Sequence, residues 1–113
     1  MVPEPRRPLS PTVLHILLAL AEGARHGYSI KQQAERRSEG TVRLGPGTLY
    51  EAIQRLQDAG LIRETSGDGD PVNGQEAQRR YYALTARGKR VLREEIQQLG
   101  RIVDYARTRQ ELA

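Results

Sequence analysis

The chain has no cysteine, no tryptophan and no phenylalanine. Without thiols it forms no disulfide, runs no thiol chemistry and builds no cysteine zinc site. Its two histidines, His15 and His26, cannot make a metal site alone. Lacking Phe and Trp, and with an apolar fraction of only 37%, it must pack its interior with Leu, Ile, Val and Ala. No apolar run approaches the roughly 20 residues of a membrane-spanning helix, and the strongest, Val13 to Ala21, is interrupted by His15. The N-terminal stretch with Pro3, Pro5, Arg6, Arg7 and Pro8 lacks the apolar segment and cleavage site of a secretory signal, so a cytoplasmic location is expected. No carboxylate pair, nucleophile with base, or phosphate-cradling glycine loop is present, and neither an enzyme nor a cofactor is expected. Asp68-Gly69-Asp70 opens like a calcium loop, but Val72 stands at a ligand position and the glycine and closing Glu are out of register.

What is present fits one domain of 113 residues with a modest core. Eighteen Lys and Arg oppose fourteen Asp and Glu, a formal charge of +4. Only Lys31 and Lys89 are lysines, so the positive charge is nearly all guanidinium, the group that pairs bidentately with phosphate and guanine. Such a balance suits an anionic partner, although a solvated arginine-rich surface reads the same way.

The most informative segment is Leu44-Gly45-Pro46-Gly47-Thr48-Leu49-Tyr50, continuing to Gly60. Proline at a first helical position costs no hydrogen bond, and Gly60 stops the helix before strand-forming residues. Leu49, Ala52, Ile53 and Leu56 make one apolar stripe at spacings of three and four. Gly47, Thr48, Glu51, Gln54, Arg55 and Asp58 face away, so one side docks and the other is left free. Small side chains in the first turn let backbone amides approach a phosphate.

Two helices precede this one. Ser10-Pro11 is a capped start for a helix with Val13, Ile16, Leu17 and Leu20 on one stripe, ending near Glu22-Gly23. A second helix begins around Gly27-Tyr28, with Ile30 and Ala34 inward, and ends before Gly40. After Gly60, Leu61 to Thr65 and Arg79 to Leu84 read as strands around a long loop, Ser66 to Gln78. Tyr82 and Leu84 alternate onto the inner face. The expected fold is thus mainly α with a small β hairpin: a winged helix-turn-helix over 9–84, a flexible tail over 1–8 and a long C-terminal helix over 85–113.

That last helix starts at Thr85, a good cap, and carries Leu92, Ile96, Leu99, Ile102, Val103 and Ala106 at helical spacing. It is longer than so small a body can cover. The economical cover for its stripe is the same helix of a second copy, a two-fold homodimer.

Taken together, Leu17-Leu18-Ala19-Leu20, His26-Gly27-Tyr28-Ser29-Ile30, Pro46-Gly47-Thr48-Leu49-Tyr50, Gly60-Leu61-Ile62, Arg80-Tyr81-Tyr82 and Leu84-Thr85 with Gly88 resemble the PadR family of transcriptional regulators. The resemblance implies a dimeric, cytoplasmic regulator of double-stranded DNA, usually a repressor, acting on a pseudo-palindromic operator. It also implies that the second and third helices and the wing touch DNA. The residues that fit that role are Tyr28, Lys31, Arg43, Gly47, Thr48, Tyr50, Arg55, Arg79 and Arg80. For Tyr28 and Tyr50, packing with only the hydroxyl free is a competing reading. Gly45 stands where such proteins often carry Ser, removing a hydroxyl cap, and Asp68, Asp70 and Glu76 make the wing tip acidic, which repels phosphate. The acidic tip and modest charge leave a second reading, a dimerising adaptor without specific DNA binding. Relatives can take small-molecule effectors near the dimer interface; here Tyr105 is the only aromatic residue of the last helix, and no effector is identified.

Overall fold

The computed structural model describes residues 8–65 and 80–109. Helix α1 (Pro11–Leu20) begins where Ser10 Oγ accepts from the Val13 amide at 3.2 Å, and it buries Ile16, Leu17, Ala19 and Leu20. Its C-cap is Ala21, slightly before the Glu22-Gly23 end that the pattern predicts. A two-residue strand β1 (Arg25–His26) leads directly into α2 (Gly27–Arg37), where His26 Nδ1 caps the helix by accepting from the Ser29 amide at 3.2 Å. The turn after α2 is pinned by Ser38, whose buried Oγ accepts from the Val42 amide at 2.9 Å.

Helix α3 (Pro46–Asp58) has Pro46 at its start and no side-chain cap from Gly45, which has no side chain to offer one. Leu49, Ile53 and Leu56 are buried. Gly60 then turns the chain at φ +76°, a left-handed conformation open to glycine, and strand β2 (Ile62–Thr65) follows. Strand β3 (Tyr81–Leu84) returns antiparallel, with Ile62 opposite Leu84 and Thr65 opposite Tyr81.

The sheet has one strand more than the predicted hairpin. Arg25 pairs with Tyr82 and His26 with Tyr81, so the order is β1-β3-β2 and β3 lies at the centre. Two residues carry no periodicity, which is why this strand left no mark in the sequence pattern. The predicted loop Ser66 to Gln78, the tail 1–7 and Arg79 lie outside the described residues.

Helix α4 (Ala86–Arg107) is fastened at its first turn. Thr85 Oγ1 donates to the Gly60 carbonyl at 2.6 Å and accepts from the Gly88 amide at 3.0 Å, while the Thr85 amide donates to the Leu61 carbonyl at 3.0 Å. Gly88 lies so close to that same carbonyl that an added methyl would be driven into it. Further on, Glu95 is buried and accepts from the Leu9 amide at 3.2 Å, tying the chain entering α1 to α4. One core joins all these elements, with Ile16, Leu17, Ile30, Leu44 and Ile53 as its largest fully buried side chains. Leu92 belongs to this core, at 5% exposure, because α4 still packs on α1 and β3 at that level. The apolar face left open on α4 therefore begins one turn later, with Ile96, Leu99, Ile102, Val103 and Tyr105 exposed. Ala106 is partly covered.

Candidate nucleic-acid interface

Burying Leu49, Ile53 and Leu56 turns the opposite side of α3 to solvent, and Gly47, Thr48, Glu51, Gln54, Arg55 and Asp58 are all exposed there. Tyr50 stands at one edge of this face, 54% exposed. Its hydroxyl rests against Gly27, where a side chain would meet the phenol oxygen at 2.9 Å. The glycine of the His26-Gly27-Tyr28 motif is thus the seat that lets the start of α2 approach the first turns of α3. Tyr28, on the next position of α2, is 59% exposed. Neither ring is sequestered in the core, so both phenols border the open surface at the α2–α3 junction.

The other predicted cations are held differently. Lys31 Nζ lies 3.0 Å from Glu35 Oε1, one turn along α2. Glu35 also accepts from the Leu44 amide at 3.4 Å. The Lys31 hydrogen bond, helped by the Leu44 amide and by Arg43 and opposed by burial, holds the Glu35 carboxyl below its ordinary value. Lys31 therefore meets any partner with its charge already shared. Arg43 is exposed, with Nε donating to the Gly40 carbonyl at 3.3 Å. Arg80, at the foot of the wing, lies 3.6 Å from Glu64 across the strands, and both side chains are largely solvated. Tyr82, beside it, is buried, and desolvation first, then Glu64 and Tyr50, raise its hydroxyl above the usual phenol range.

Thr48 and Arg55 line a shallow cleft of about 260 Å³ between α3 and the start of α1, shared with Thr12 and Glu51. The structure thus gathers Tyr28 with Tyr50 at one edge of α3 and Thr48 with Arg55 at the other. Arg43 folds back on the turn that precedes α3, and Arg80 stays on the wing beside Glu64.

Sequence patterning missed Arg25. Its guanidinium donates to the Ala19 carbonyl at 2.7 Å, to Ser29 Oγ at 3.0 Å and to Glu22 at 3.1 Å, and Glu22 is also held by Arg37 at 2.6 Å. This network fixes the end of α1 against the start of α2, and so sets where Tyr28 stands. No periodic signal reports it, since the partners come from the end of α1, the turn after it and α2.

Three helices with the third displayed, followed by a wing and a long C-terminal helix, define a winged helix-turn-helix protein. Residues 16–94 match the transcriptional regulator PadR-like family, and the chain belongs to it. Members are non-enzymatic DNA-binding transcription regulators. A PadR family regulator from Clostridium difficile superposes with a TM-score of 0.69 at 24% identity, covering 88% of this chain and 97% of that one. Bacillus subtilis PadR in complex with operator DNA gives 0.61 at 23% identity, over 74% of this chain and 45% of that one. An uncharacterized 37.1 kDa protein of a Streptomyces fradiae transposon is 36% identical over 87 residues; that match spans 77% of this chain but 22% of the relative's length. Among the described residues, no helix is long and apolar enough to cross a membrane.

Proposed function

We propose that the chain is a sequence-specific, homodimeric repressor that binds a pseudo-palindromic operator in the cytoplasm, over the unit boundaries 1–8, 9–84 and 85–113 anticipated above. The observation that carries this reading is the free polar face of α3, bordered by Tyr28 and Tyr50 and displayed by a fold of the same shape as one seen on operator DNA. In this reading α3 enters the major groove. Gly47 lets the backbone close on the duplex, Thr48, Tyr50 and Tyr28 meet phosphates, and Arg55 takes a phosphate or a guanine edge. Lys31, Arg43, Arg79 and Arg80 contact the flanking backbone. The open stripe on α4, Ile96, Leu99, Ile102 and Val103 with Ala106 at its margin, meets its copy across a two-fold axis. Two α3 helices then fall about one turn of duplex apart, roughly 34 Å.

Fluorescence anisotropy against the chain's own upstream DNA, run across a salt series, tests this. Specific binding that weakens steeply with salt is expected. Arg55→Ala, at an exposed position, is expected to leave the melting temperature unchanged and to weaken operator binding about tenfold. Absence of specific binding at any salt would overturn the function and favour the adaptor reading; unchanged affinity in Arg55→Ala would overturn the role of that side chain.

A further inference from the structure

At about 100° per residue, the direction directly opposite the buried Leu49, Ile53 and Leu56 passes within roughly 20° of Glu51 and of Asp58. Arg55 and Thr48 sit further round, toward the α1 side, where they share the cleft with Glu51. The side chain that reaches furthest from the core in the N-terminal half of α3 is therefore a carboxylate. A carboxylate there is a cost on a surface that meets phosphate, unless it ends on hydrogen-bond donors.

The two acids are not equivalent. Asp58 Oδ1 already accepts from Gln54 Nε2 at 3.0 Å and lies at the last residue of the helix, away from the N-terminal residues that reach base edges. Glu51 makes no hydrogen bond or ion pair among the described residues. In the major groove the donors open to it are the exocyclic amines, and the cytosine N4 amine is the one a carboxylate pairs with by preference.

We infer that Glu51 is a specificity-determining residue that demands cytosine at one position of each operator half-site by accepting a hydrogen bond from its N4 amine. This rests on the DNA-binding reading above and adds to it a base that the operator must contain. The carboxylate works by exclusion as well: opposite guanine O6 and N7 or thymine O4 it faces acceptors only, and binding weakens.

Selection from random duplex DNA with the wild-type chain, E51A and E51Q, followed by anisotropy titrations on the enriched site, tests the inference. The wild-type chain is expected to enrich half-sites with one fixed cytosine and to lose about tenfold in affinity when that cytosine alone is changed. E51A should bind all four bases there within about twofold while keeping its other preferences, and should gain affinity for unrelated DNA as a charge near the phosphates is removed. E51Q, which presents a donor and an acceptor, should turn the preference toward adenine. Because Glu51 is exposed on a helix and Ala and Gln are good helix formers, thermal melts of the variants should match the wild type. An enriched site whose base preferences are unchanged in E51A overturns the inference and leaves the DNA-binding reading standing. A wild-type chain that enriches no sequence removes both.

Discussion

Lys31 and Glu35 face each other one turn apart on α2, and the same carboxylate receives the Leu44 amide from the segment entering α3. A surface pair of this kind is worth little by itself. Its value here is positional, because it ties the α2–α3 connection to α2 just before the displayed helix begins. Since the folded carboxyl titrates below the ordinary value of 4.5, its contribution is fully present above pH 4.5 and is lost as pH falls through the folded value. Glu35→Gln should therefore lower the melting temperature modestly at pH 7 and merge with the wild type in strong acid. Thermal melts of both chains between pH 2 and 7 check this, and a constant gap across the range would show that the carboxylate's charge plays no part. Tyr50 and Gly27 meet at the same scale: the glycine of the motif leaves open the space that the Tyr50 hydroxyl takes.

At the scale of elements, α4 is set by the crowding at Gly88. Alanine there must push the helix off the Leu61 carbonyl, which also accepts the Thr85 amide and lies next to the Gly60 carbonyl held by Thr85 Oγ1. Gly88→Ala should cost about 2–3 kcal/mol, a fall of roughly 10 °C in melting temperature. Gly100→Ala, on the same helix with nothing within 4 Å of the added methyl, should instead gain about 0.5–1 kcal/mol. Calorimetry of the two variants side by side separates close approach from helix propensity, and equal shifts would remove the steric account. The contrast also explains which features the sequence made legible. Ser10-Pro11, Pro46, Gly60 and Thr85 act within one turn of themselves, so the helix starts and the turn they control could be read directly. Leu49, Ile53 and Leu56 repeat at helical spacing, so the docked and free sides of α3 could be read as well. The two-residue β1 and the buried Glu95 depend on partners brought from elsewhere in the chain, and the Arg25 network on how the turn after α1 folds back on both helices, so apolar spacing carries no trace of them. Leu92 fits the stripe of its helix equally well whether its neighbour is its own core or a second copy; only the packing of α4 on α1 and β3 decides.

For the whole molecule, the homodimer proposed above makes the coupling of two displayed α3 helices the governing quantity. One α3 offers few groups to base edges, with Arg55 the only cation on its free face, so a single half-site should hold weakly. Joining two such surfaces converts the second contact into an intramolecular one and raises operator affinity by about 10²–10⁴ without adding any contact. The proposed joint is the open stripe of α4. Ile102 is its most outward aliphatic member at 53% exposure and lies more than two turns beyond Leu92, the last aliphatic residue of α4 in the chain's own core. Ile102→Glu should thus place a carboxylate in the dimer seam while sparing the winged domain. In sedimentation velocity the wild type is expected as a dimer and the variant as a monomer at micromolar concentration. Binding to the full operator should fall by at least about a hundredfold, whereas binding to an isolated half-site should stay within about twofold of the wild type. A variant that remains dimeric would place the joint elsewhere, and a monomeric variant with undiminished operator affinity would show that each α3 reads its site alone.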